Sequence, residues 1–201
     1  MPTNFDKLLA AFRAYVEGLR AAADFTAAID WAMPGRPLEA SILPCLGHLD
    51  RLAALAGRSE QPLVDLLTRQ RTAFRWGQTY TTADFDQRFI DNYGWMELFG
   101  TRGHFENQAV AGGFLILGPG IEYPDHHHIA EELYVPLAGR AEWRKGEGAF
   151  LPRLPGEAIH HPSRVNHAMR TRAEPLLALY LWRGGPLAEK STVTGKAGAR
   201  A

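Results

Sequence analysis

Cysteine is nearly absent from these 201 residues: Cys45 stands alone. One thiol closes no internal disulfide and fits a reducing compartment, so a packed core must hold the fold. The chain is long enough to bury such a core without covalent staples. Neither sign of charge is in excess, with 22 basic against 22 acidic residues. No global field therefore draws the chain to nucleic acid or to an anionic membrane, and no basic recognition helix stands out. Long apolar runs are missing as well. None approaches the ~20 residues that a membrane-spanning helix needs. The first apolar stretch is broken by Asp6, Lys7, Arg13, Glu17 and Arg20, which a secretory signal does not tolerate. The expectation is a cytoplasmic protein with no nucleic-acid or membrane partner. Internal repeats and low-complexity linkers are also lacking.

The texture of what remains changes near residue 90. Before it, apolar residues recur at helical spacing: Leu8, Leu9, Phe12, Tyr15, Val16 and Leu19 form one stripe. A second helical stretch is predicted from Leu38 to Leu55 with a kink or boundary at Pro44. A third runs from Pro62 to Phe74, with Pro62 in the first turn, where its missing N–H costs nothing. The segment Trp76–Arg88 reads as loop with some helix. After residue 90, short aromatic and β-branched runs alternate with Gly and Pro: Gly94–Phe99, Ala109–Leu117, Glu132–Leu137, Ala141–Trp143, Ala158–His161 and Leu176–Trp182. Several strands at this spacing predict a mainly β fold, an antiparallel sandwich or barrel. The resulting division is a helical extension over residues 1–90 packing on the barrel, a barrel over 91–186, and a disordered polar tail over 187–201.

Six of the eight histidines fall between residues 126 and 167. Three in a row can be no more than a polar loop, so their surroundings decide. In an extended segment side chains alternate, which sends His126 and His128 to one face and His127 to the other. Glu132 lies four residues beyond His128 and can rejoin that face as the chain enters the next strand. Two imidazoles and a carboxylate form a borderline-hard ligand set, suited to Fe(II), Mn(II), Ni(II) or Zn(II). His160 and His161 lie on a strand preceding His167, while His48 and His104 have no motif around them.

Gly120, His126, His128, Glu132 and Gly139 occupy every fixed position of the first cupin motif, which this stretch resembles. Gly156, Pro162 and His167 match the second, with Arg164 standing where that motif has glycine and Thr171 where it has asparagine. The resemblance implies a C-terminal cupin barrel, a double-stranded β-helix, and His167 as a fourth protein ligand beside His126, His128 and Glu132. Within the superfamily, Tyr123-Pro-x-His126-x-His128-x-x-x-Glu132-x-Tyr134 followed by His167-Ala-Met-Arg170 is similar to the dimethylsulfoniopropionate lyases of the DddQ type. That likeness implies a carbon–sulfur lyase with one divalent transition metal ion (Fe2+, Zn2+ or Mn2+). The reaction is β-elimination to dimethyl sulfide and acrylate.

A tyrosinate, Tyr123 or Tyr134, would then be the base. A phenol with a pKa near 10 needs a neighbouring cation to serve near neutral pH. Tyr123, expected at the barrel mouth, is preferred as base, with Tyr134 as ligand or substrate anchor. The sulfonium accepts no hydrogen bond and suits aromatic faces. Trp182 is the first choice, ahead of Tyr93, Trp95 and Phe99. Two other readings compete. An Fe(II) dioxygenase would use the same three histidines and one glutamate, and a non-enzymatic cupin would bind a small molecule. Oxygen consumption separates the dioxygenase from the lyase. The helical extension is open to three roles: cap, lid or homodimer interface.

Overall fold

Residues 3–195 are described by the computed structural model of the chain. The strands among them are β1 (Tyr93–Gly100), β2 (Phe105–Glu106), β3 (Val110–Leu117), β4 (Glu122–His127), β5 (Glu131–Ala138), β6 (Ala141–Lys145), β7 (Leu151–Arg153), β8 (Ile159–His161), β9 (His167–Thr171), β10 (Leu176–Arg183) and β11 (Thr192–Val193). One sheet runs in the order β2-β1-β3-β10-β5-β8 and the other in the order β11-β4-β9-β6-β7. Pairing is antiparallel apart from the two-residue contact of β1 with β2, which is parallel. Inner residues of both sheets join in one core: Leu115, Tyr134 and Tyr180 from the first meet Tyr123, Trp143 and Met169 from the second. This is the two-sheet cupin architecture.

Alternation along the strands separates two cores. On β10, Ala178 and Tyr180 face the barrel interior, whereas Leu177, Leu179 and Leu181 face outward. On β5, Tyr134 faces inward while Leu133, Val135 and Leu137 face out. A strand covered on both faces loses the polar alternation of a half-exposed one, which is why β3 and β10 read as continuous apolar runs.

The outer face is covered by helices α1 (Asn4–Glu17), α2 (Ala23–Thr26), α3 (Leu49–Ala54) and α4 (Gln61–Gln70). The first begins with a reciprocal cap: Asp6 N–H donates to Thr3 Oγ1, and Thr3 N–H donates to the Asp6 carboxylate. Its buried stripe is Leu8, Phe12 and Val16, and the Phe12 ring stands edge-on to Phe99 and Phe114. Helices α1–α4 thus cover the outer side of the six-stranded sheet, while Tyr80, Phe85 and Phe89 of the same extension pack into the inner core.

Two local expectations are corrected. Leu38–Leu55 is not one kinked helix: Pro44–His48 is a 3-10 turn leading into α3, and no helix precedes it there. The Trp76–Arg88 stretch is loop with some helix, as expected: loop up to Asp86, whose side chain caps α5 (Gln87–Asn92) by accepting from Phe89 N–H at 2.8 Å. The disorder expected from residue 187 does not hold through residue 195. There β11 pairs with β4 through Thr192↔His127 and Val193↔His126, and Leu187 and Ser191 are buried. Residues 196–201 lie outside the described part.

The two departures from the second motif are absorbed locally. Arg164 adopts φ 63°, the left-handed conformation that glycine would take without penalty. Its N–H donates to His128 O at 2.9 Å, tying this turn to the histidine loop. Thr171 Oγ1 donates to Gly118 O at 2.5 Å and accepts from Ile121 N–H at 3.0 Å, which fastens β9 to the start of β4.

Candidate metal centre and active site

The first sheet brings one row of side chains together. Glu132 on β5 pairs with Trp182 on β10 and with His161 on β8; one step along, Tyr134 pairs with Tyr180 and Ile159. From the opposite sheet, His126 on β4 pairs with His167 on β9. A register shift between Tyr123 and His126 lets two residues an odd number apart face the same way. Their rings stack at 3.9 Å. His127 points aside, with Nδ1 3.0 Å from Asn166 Oδ1.

His128, Glu132 and His167 each offer a ligand atom within 4.8 Å of the others, and all three are buried. His126 stands just outside this tight group, its ring 4.2 Å from His167 and 6.4 Å from His128. Three features fit a divalent metal. First, Nδ1 of His126, His128 and His167 lies 2.8–2.9 Å from the carbonyls of Pro124, Ala130 and Val165. A carbonyl only accepts, so each Nδ1 carries a proton and each Nε2 is the ring atom left for the site, that of His128 lying 3.2 Å from Glu132 Oε2. Second, His167 Nε2 is 3.1 Å from Glu132 Oε2 but lacks hydrogen-bonding geometry to it, and the nitrogen has no other partner among the described residues. Third, Trp182 Nε1–H donates to Glu132 Oε1 at 2.5 Å, orienting the carboxylate from behind. Burial alone would raise the Glu132 carboxyl, but His128 and His167 beside it hold it well below the usual carboxylate range.

Tyr123 and Tyr134 both line the cavity over this centre, together with Tyr93, Trp95, Tyr180 and Trp182. Tyr123 is not at the mouth: it is buried among Tyr80, Phe89 and Tyr93, and its hydroxyl pairs with Tyr80 OH at 2.8 Å. Burial pushes both phenols well above their ordinary value, reinforced at Tyr123 by Tyr93 and at Tyr134 by the Glu132 charge. Phe99 takes no part. A register shift between Glu97 and Phe99 turns it to the outer core against Phe12 and Trp31.

Sequence reasoning passed over several groups. Thr79, Arg102, Leu187, Glu189 and Ser191 line the same cavity. Arg102 stacks over Trp95 at 4.7 Å and pairs with buried Glu97 at 3.2 Å. His161 is fully buried, stacks on His167 at 4.1 Å and has neither ring nitrogen hydrogen-bonded among the described residues. Burial holds its pKa down to about 3, so its ring is neutral. Only the alternation Leu187, Glu189, Ser191 was available as a signal, and it is too short and polar to read as a strand.

Fold and site together define a cupin barrel with a buried histidine–glutamate group able to hold a metal ion. Residues 20–178 match the family model of dimethylsulfoniopropionate (DMSP) lyase. The chain is 33% identical over 181 residues to dimethylsulfoniopropionate lyase DddQ of Ruegeria pomeroyi, covering 90% of this chain and 89% of that protein. The crystal structure of DddQ from Ruegeria pomeroyi DSS-3 superposes with a TM-score of 0.88 at 29% identity, covering 95% of this chain and 96% of that one. A chain from the crystal structures of DMSP lyases RdDddP and RnDddQII gives 0.89 at 34% identity, covering 95% and 97%. This chain belongs to the DMSP lyase family.

Proposed function

We propose that the chain cleaves dimethylsulfoniopropionate to dimethyl sulfide and acrylate at the centre built by His128, Glu132 and His167. What carries this reading is the set of imidazoles whose Nδ1 protons are fixed by backbone carbonyls, so that the Nε2 atoms of His128 and His167 converge on one buried carboxylate. His126 shares that arrangement and is the fourth protein ligand to one divalent transition metal ion, Fe2+, Zn2+ or Mn2+. Bound there, such an ion supplies a Lewis acid that stabilises charge developing at the substrate carboxylate and lowers the pKa of a nearby phenol.

The chain's own residues do the rest. Tyr123 removes the proton beside the carboxylate; the electron pair forms the carbon–carbon double bond, and the carbon–sulfur bond breaks with its electrons leaving on neutral dimethyl sulfide. Tyr80, 2.8 Å from the Tyr123 hydroxyl, donates a hydrogen bond to the phenolate. Tyr134, one step along the row from Glu132, anchors the substrate or completes the coordination. Trp182, Tyr93 and Trp95 turn aromatic surface to the sulfonium, at ~0.5–2 kcal/mol for each well-placed face. Among the described residues no helix is long and apolar enough to cross a membrane, and the partner is a small molecule.

The test is headspace dimethyl sulfide from purified, metal-loaded protein given dimethylsulfoniopropionate, with Tyr123→Phe and Tyr134→Phe in parallel. Loss of the base lowers kcat by about 10²–10⁴. No sulfide from the unaltered protein under any of the three metals overturns the lyase reading. Full release from Tyr123→Phe overturns the assignment of the base.

A further inference from the structure

Residues 187–191 cross the cavity as a strap, entered through a turn at Leu187 and Ala188, that directs alternate side chains inward. Leu187, Glu189 and Ser191 line the cavity, while Ala188 and Lys190 are exposed. The strap is held at three points: Lys190 Nζ meets Asp84 Oδ1 at 2.8 Å, β11 pairs with β4, and Glu189 Oε2 accepts from Ile129 N–H at 3.1 Å. That last contact seats the Glu189 carboxylate beside the loop that carries His128.

The charges around the cavity are unevenly committed. Glu132 belongs to the metal-ligating group. Arg102 is compensated by Glu97, against which it packs. Glu189 forms no ion pair among the described residues, and its bond to Ile129 uses one oxygen and a neutral backbone donor. An uncompensated carboxylate shares the cavity with Tyr93, Trp95, Tyr180 and Trp182. Aromatic faces and a fixed anion are the two features that favour an onium group, which cannot accept hydrogen bonds but responds to negative potential.

We propose that Glu189 is a specificity-determining residue that selects a cationic β-substituent on a propanoate substrate over a neutral one of the same shape. The inference rests on the lyase reading for the substrate's orientation, with the carboxylate toward the histidine–glutamate centre and the onium toward the strap. Glu189 acts by charge alone, since the hydrogen bond to Ile129 needs only an acceptor oxygen.

The decisive comparison uses two non-reacting ligands of one shape, the zwitterion 3-(trimethylammonio)propanoate and its all-carbon isostere 4,4-dimethylpentanoate. Their binding to metal-loaded protein is measured by calorimetry for the unaltered chain and for Glu189→Gln, which keeps an acceptor for Ile129 N–H. The expected result is roughly a tenfold loss in affinity for the zwitterion, the scale of one charge pair in a half-exposed site, and less than a twofold change for the isostere. Because the readout is a ratio within each protein, partial unfolding of the variant does not mimic it. Equal loss for both ligands would reduce Glu189 to a pin for the strap, and no loss for either would remove it from recognition; each outcome overturns the proposal. Binding is read without turnover, so the two failures are separable. A protein that releases no dimethyl sulfide yet keeps a Glu189-dependent preference for the zwitterion sinks the lyase reading and leaves this assignment standing.

Discussion

Replacing Trp182 with phenylalanine separates two things that the indole does at once. Its ring packs on His128 with centroids 4.0 Å apart, and its N–H donates to Glu132 Oε1 at 2.5 Å. Phenylalanine keeps most of the stack and deletes the donor. Glu132 is 1% exposed, so water does not take the vacated place. A hydrogen bond to a charged group contributes about 1.5–3 kcal/mol, and about 1.4 kcal/mol is a factor of ten in affinity. The expected cost is therefore about ten- to a hundredfold in metal affinity, the range found when an orienting partner behind a metal ligand is removed. The assay titrates apoprotein with Zn2+ in competition with a chromogenic chelator of known affinity, and circular dichroism verifies that the barrel is intact. An affinity within threefold of the unaltered protein would refute the reasoning and leave Trp182 only its aromatic face. If the reasoning holds, excess metal restores most of the turnover lost by Trp182→Phe, because the defect lies in loading and not in the chemistry.

Other consequences are equally open to measurement. Phe12→Ala empties a fully buried position between α1 and the outer sheet face and lowers stability by about 3–5 kcal/mol in denaturant titration, with KM unchanged in the protein that remains folded. Arg164→Gly relieves a left-handed residue and is neutral or stabilising by up to ~1 kcal/mol, whereas the β-branched Arg164→Val costs about 1–2 kcal/mol. His104, which accepts from Arg75 N–H at 3.1 Å, has its pKa lowered by burial to about 4. The unfolded chain therefore takes up this proton first. The stabilisation is complete above about pH 6.5, fades as the pH falls toward 4, and amounts to at most roughly 3 kcal/mol. His104→Gln, which keeps an acceptor, flattens the difference in urea midpoint between about pH 7.5 and about pH 5; an unchanged difference would show that His104 is not its source.

The barrel was legible because its strands are apolar, and the buried group that could hold a metal because much of its spacing follows strand alternation. β1, β3, β5 and β10 announce themselves as runs such as Leu176–Arg183. The shorter β4 and β9 do not, because they carry Asp125, His126, His127, His167 and Arg170 in place of apolar residues. Local propensity fails most where chemistry has replaced packing. Phe99 was misplaced for a different reason: the irregularity after Glu97 reverses the parity that puts Tyr93 and Trp95 inside. The strap over residues 187–195 has a composition that reads as tail. Its order comes from contacts with Asp84, Ile129 and β4, all distant in sequence. Arg164 kept a glycine's backbone without being glycine, so the departure from the motif altered the residue and not the turn.

The two-sided strands have a practical consequence for protein engineering. On β10, Leu177, Leu179 and Leu181 touch only the helical layer's core, while Ala178 and Tyr180 belong to the chamber. Residue parity alone thus sorts each position of this ribbon into a thermal-tolerance library or a substrate-scope library. Variants from the two can be recombined with little interference, because a β-sheet's thickness lies between them.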